Sequence, residues 1–193
     1  MKRIMKTKFL MILLAAGLLA SCSEEDNPVG KFNSSGEFIV DIKQPVSAED
    51  FSRCAVGYGW REAETYEIMS DGTVAKKDYW EGMCGGGPLS YEFGEGRATL
   101  FVYMDAYPAD VHLDYTMQYD ETTGKVYFDG EEGFTVLTVS PEKIRIVKWA
   151  GVRGGENKKI YVYIVLQRLT DEQLRKIKET YTTTKEDLDN WFK

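Results

Sequence analysis

The sequence predicts a mainly β protein: an antiparallel meander forming a barrel, with a short helix before it and a helical segment after it. Three observations carry that prediction. Stretches rich in β-branched and aromatic residues recur at 55–60, 64–69, 73–80, 89–93, 97–104, 111–119, 125–129, 133–139, 143–149 and 159–168. Short turn signals join many of them, and such turns leave no room for the crossovers that parallel strands need. Alternation is clearest in 111–119, where Val111, Leu113, Tyr115, Met117 and Tyr119 share one face and His112, Asp114, Thr116 and Gln118 the other. A meander of eight or more twisted strands either curls closed or splits into two layers. Closure removes exposed edges, so a barrel is preferred to the alternative, a two-layer β-sandwich.

The chain begins with a different signal. Lys2, Arg3, Lys6 and Lys8 precede an apolar run from Phe9 to Ala20. That run is too short to cross about 30 Å of hydrocarbon as a helix. A basic start, a short apolar core and small residues before a cut site read as a signal peptide over residues 1–21. The tetrad Leu19-Ala20-Ser21-Cys22 resembles the lipobox of bacterial lipoproteins. The resemblance implies cleavage before Cys22, acylation of that cysteine and a membrane held through the lipid anchor. Ser23-Glu24-Glu25-Asp26 resembles the acidic export signal of Bacteroidota surface lipoproteins, which implies the outer face of the outer membrane. Residues 22–35 then read as a lipidated acidic linker, and 36–193 as a single domain.

Four of the 24 basic residues lie in the leader, leaving 20 against 31 acidic ones, a net charge of −11. That balance argues against a phosphate-backbone partner, so no nucleic acid is expected. Once Cys22 is lipidated, Cys54 and Cys84 form the one possible pair, and a disulfide between them is expected in an oxidising compartment. Neither cysteine has a near-neighbour ligand and the chain holds a single histidine, so no metal site is expected. No cofactor motif is present: Met83-Cys84-Gly85-Gly86-Gly87-Pro88 is glycine-rich but lacks the lysine and helix of a phosphate loop.

Within the domain, Glu37–Lys43 reads as an edge strand. Ser47 caps a short helix with Asp50 at N3 and a Val46–Phe51 staple. Asp71-Gly72 is the strongest hairpin turn, and Gly94-Glu95-Gly96, residues 121–124 and 130–133, and Ser140-Pro141-Glu142 are further turns. Thr170 with Gln173 forms a capping box before an apolar face of Leu174, Ile177 and Tyr181, and Thr184 opens a last helical turn. The short helix leading into Gly57-Tyr58-Gly59-Trp60, then Tyr66-Glu67-Ile68 before Asp71-Gly72-Thr73-Val74, resembles the opening of bacterial lipocalin-like domains. So does a strand ending at Arg168 before a helix. The spacing departs from the strict Gly-x-Trp opening, since Gly59 adjoins Trp60, and this weighs against an enclosed ligand cavity.

No catalytic residues are expected. His112 is a strand histidine with no nucleophile motif to serve, and the acids of the turns are solvated. The remaining signal is aromatic. Trp60, Tyr79, Trp80, Tyr107 and Trp149 stand at strand ends or in loops, where rings can stack on a sugar or an apolar molecule. The functional expectation is a non-enzymatic, outer-membrane-anchored binding module for a small ligand or glycan. The alternative is a structural or protein-partner lipoprotein without a pocket, its protein partner unknown.

Overall fold

The computed structural model describes residues 28–80, 87–104, 109–153 and 158–191. Eleven strands and three helices follow in the order β1 (Gly30–Phe32), β2 (Phe38–Val40), α1 (Ala48–Ala55), β3 (Tyr58–Ile68), β4 (Val74–Asp78), β5 (Ser90–Gly94), β6 (Arg97–Met104), β7 (Ala109–Asp120), β8 (Lys125–Phe128), β9 (Glu131–Val139), β10 (Lys143–Arg153), β11 (Lys158–Arg168), α2 (Asp171–Thr180) and α3 (Lys185–Trp191). Strands β5 to β11 pair in sequence, β5 pairs with β3, and β11 returns antiparallel to β3. The closing pairing runs from Val162 opposite Glu67 to Arg168 opposite Trp60. The result is the expected antiparallel barrel, of eight strands. A ninth strand, β4, shares an edge of β3 with β5: β5 pairs with Tyr58–Arg61, and β4 with Tyr66 and Ile68.

The inner face follows from the alternation. Trp60, Tyr91, Phe93, Phe134, Ile144, Ile146, Ile164 and Leu166 are each under 2% exposed and fill the barrel. At about 1.5–3 kcal/mol for each large apolar side chain buried, they dominate its stabilisation. The predicted strands 55–60 and 64–69 are one strand, because a bulge at Val165/Leu166 lets β3 continue through Ala63. A second bulge, between Trp149 and Gly151, extends β10 beyond its expected end at 149 to Arg153.

One end of the barrel is closed. Helix α1 starts at Ser47, whose hydroxyl accepts the Asp50 N–H. Its Phe51 stacks on Tyr119 with ring centroids 4.3 Å apart. The Trp60 indole N–H donates to the Ala55 carbonyl at 3.0 Å, and the Tyr119 hydroxyl to the Val46 carbonyl at 2.7 Å. Burial pushes the Tyr119 phenol up to about 12. Helix α2 has the predicted capping box and lies against the outer wall at Gly59, where a Cβ would stand 2.9 Å from a Leu174 methyl. Beyond it, Thr183 bridges to Val111, and Leu188 of α3 packs on the same residue.

The chain joins the fold earlier than expected. Part of the predicted linker forms β1, which pairs with β2, and this hairpin covers an outer apolar patch around Ile68 and Val147. The hairpin turns where Asp71-Gly72 was expected, but over three residues, 70–72, rather than two: the Met69 N–H donates to the Thr73 carbonyl and the Gly72 N–H to the Met69 carbonyl. Gly72 alone takes a positive φ, +84°, and the Gly30 carbonyl occupies the place of its absent Cβ. Cys54 corrects the expected bridge: it is a free, buried thiol on α1. Helix α1 commits that side chain to the closed end. Cys84 lies outside the described residues.

Candidate functional site: the open end of the barrel

Opposite α1 the barrel opens. Strands β3, β4, β10 and β11 frame a recess of about 520 Å³, lined by Glu67, Lys77, Tyr79, Arg153 and Ile160 together with Met69 and Val152 of the rim. Its size falls in the range of small-molecule sites. Arg153 donates to Glu67 at 2.7 Å across the opening. The Tyr79 N–H donates to the Thr65 carbonyl at 2.6 Å, which carries the β4 edge inward past Asp78.

Deeper in the barrel the inward register of two strands carries charge. Glu62 follows Trp60 on β3, and Lys148 follows Ile146 on β10. Lys148 Nζ lies 2.7 Å from Glu62 Oε1 and 3.2 Å from the Tyr91 hydroxyl. Glu62 also accepts the Tyr91 hydroxyl at 2.8 Å and the Leu89 N–H at 3.1 Å. Burial, and then the Glu62 carboxylate beside it, push the Tyr91 phenol well above its ordinary range, so it stays a donor. A buried ion pair held this way contributes little net stability, because desolvation offsets the attraction. Two further polar atoms have no partner among the described residues: Thr65 Oγ1 and Trp80 Nε1 are both buried. Thr65 is 1% exposed and pairs across the closure with Ile164 of the core.

The structure separates the five aromatic candidates. Tyr79 lines the recess, and Trp80 packs edge-on against it at 5.3 Å. Trp149 is 58% exposed on the outer wall near the same end. Trp60 is a correction: fully buried and hydrogen-bonded to Ala55 at the closed end, it cannot meet a ligand at the mouth. Tyr107 lies outside the described residues. The sequence reading missed Glu62, Thr65 and Lys148. Its available signal was a polar residue recurring in an otherwise apolar inward register, as in Ile144, Ile146, Lys148.

A larger cleft of about 770 Å³ lies on the outer wall, where Lys178 and Tyr181 face β5–β7. Its polar groups already bind one another: Thr99 donates to Asp114 at 2.6 Å and Lys178 to Glu92 at 2.6 Å. His112 Nδ1 lies 2.8 Å from the Tyr181 carbonyl, so the single histidine pins the C-terminal segment. That cleft is the seam of a docked helix, and the open end is the better site. Among the described residues no group of three or more His, Cys, Asp or Glu side chains is placed to hold a metal, and no helix is long and apolar enough to cross a membrane. No family model matches the chain, and neither does any curated protein.

Proposed function

We propose that this chain is a lipid-anchored, non-enzymatic binding module of the outer membrane surface that takes a small, largely apolar ligand into the open end of its barrel. The recess carries the reading. It combines apolar walls (Tyr79, Ile160, Val152) with an Arg153–Glu67 pair, the mix of wide apolar contact and few polar groups that small-molecule sites use. Thr65 and Trp80 do not line the recess but flank its Tyr79, and their buried Oγ1 and Nε1 have no partner among the described residues. A ligand that reaches past Tyr79 with a hydroxyl or carbonyl oxygen would recover their desolvation cost. Anchoring rests on Leu19-Ala20-Ser21-Cys22, and surface display on Ser23-Glu24-Glu25-Asp26.

Thermal unfolding of the full chain against a panel of oxygen-bearing apolar molecules and short glycans tests the site, since a ligand that binds only the folded state raises Tm by mass action. Ala75 lines the recess, and Ala75→Trp fills it. A ligand that raises Tm in the native protein but not in Ala75→Trp supports the reading. Equal shifts in both, or none across the panel, reject it. For the anchor, Cys22→Ala protein leaves the membrane fraction; retention equal to the native protein rejects lipidation.

A further inference from the structure

We propose that the open end of the barrel is the membrane-facing end, seated on the lipid surface so that its recess opens at the bilayer interface. The inference rests on lipidation of Cys22. Its own basis is where the chain enters the fold. The Val29 N–H donates to the Gly72 carbonyl at 3.0 Å, and Pro28 Cβ lies 3.4 Å from the position a Gly72 Cβ would take. Gly72 belongs to the β3–β4 turn, and its N–H donates to the carbonyl of Met69, which lines the recess. The tether therefore meets the barrel at the rim of its open end.

Length fixes the orientation. Six Cα–Cα steps separate Cys22 from Pro28, at most about 20 Å when fully extended. Strand β3 runs eleven residues from the closed end to this rim. At about 3.3 Å per residue and the tilt of a closed barrel, that places the closed end about 25 Å further along the axis. A chain anchored at Cys22 cannot turn the closed end to the bilayer without leaving the tether short.

The rim is also composed for an interface. Of the five exposed large apolar side chains among the described residues, four, Met69, Tyr103, Trp149 and Val152, lie at or near this end, and the fifth, Ile39, lies on β2. Lys76 and Lys77 on β4, Arg153 at the end of β10 and Lys158 at the start of β11 are exposed beside them. Of the nearby acids, Glu67 pairs with Arg153, while Asp71 and Asp78 turn back onto their own backbones, accepting the N–H groups of Thr73 and Trp80. Aromatic and apolar side chains interleaved with Lys and Arg are what the headgroup layer accommodates.

The test uses the native, lipidated full chain bound to phosphatidylcholine vesicles containing phosphatidylglycerol and a photoactivatable lipid. Lipid adducts are mapped by mass spectrometry after irradiation. Adducts at Met69, Tyr103 and 149–153 several-fold above those at Glu121 and Glu142 of the closed end are expected. Protein that floats with the vesicles but carries adducts only in 22–28, or mainly at the closed end, overturns this orientation and leaves the anchor standing. Protein that fails to float overturns the anchor, and this inference with it.

Discussion

The two ends of the barrel are built on opposite terms. At the closed end aromatic rings meet rings, and the named polar atoms reach partners: the Trp60 indole, the Tyr119 hydroxyl and the α1 cap all form hydrogen bonds. Toward the open end the inner face turns polar, with a buried ion pair at Glu62 and Lys148 and unpartnered atoms on Thr65 and Trp80. The first arrangement is the cheapest way to complete a core. The second lowers stability wherever nothing else completes it. That contrast is what favours the open end in the proposed reading.

Mutations can break that contrast. Phe51→Ala has the largest expected effect, because the ring is 2% exposed and stacked on Tyr119; a loss of about 3–5 kcal/mol should appear in urea unfolding. A loss below about 1 kcal/mol would mean that α1 is not the plug. Lys148→Met follows, at about 3 kcal/mol, since it leaves the Glu62 carboxylate buried without its cation. Combining it with Glu62→Leu should restore most of that loss, because an apolar pair needs no compensation. A double variant as unstable as Lys148→Met alone would show that the pair does more than satisfy itself.

The next comparison reverses sign. Thr65→Val keeps the shape and removes a hydroxyl with no partner, so it should stabilise the ligand-free protein by about 1 kcal/mol. Destabilisation would show that the hydroxyl is paired after all. Acid sensitivity gives the smallest effect. The Thr122 hydroxyl, the Thr123 hydroxyl and the Thr122 N–H hold the Asp120 carboxyl below its ordinary range. Its contribution is therefore complete above the unfolded value of about 4 and disappears as pH falls through the lower folded value. The stability difference between native protein and Asp120→Asn should stay constant above about pH 4 and shrink below it. A constant difference down to strongly acidic pH would contradict that assignment.

Local chemistry carries local structure, and that is why much of the fold was readable. Ser47, Thr170 and Thr184 could be recognised as caps because capping needs only residues within one turn. Asp71-Gly72 could be recognised as a turn because φ at Gly72 is set there. The alternation of 111–119 put Val111 and Met117 on the buried side, where they lie at 0% and 6% exposure. The candidate site was less legible. Tyr79, chosen for its position at a strand end, does line the recess, but Trp60 was misjudged, because the helix that covers it docks from a direction no local pattern records.

By itself the sequence determined the strands but for one merger and the missed β1, the antiparallel order and the helix starts, all consequences of spacing along the chain. Only the tertiary structure decided four other things. They are the pairing of β11 with β3, the sharing of one β3 edge by β4 and β5, the meeting of Glu62 with Lys148 across 86 positions, and the docking of Val29 beside Gly72. The physical reason is common to all four. Period-two alternation separates the faces of a strand, but which distant strand lies beside it depends on register across long loops and on closure of the whole sheet.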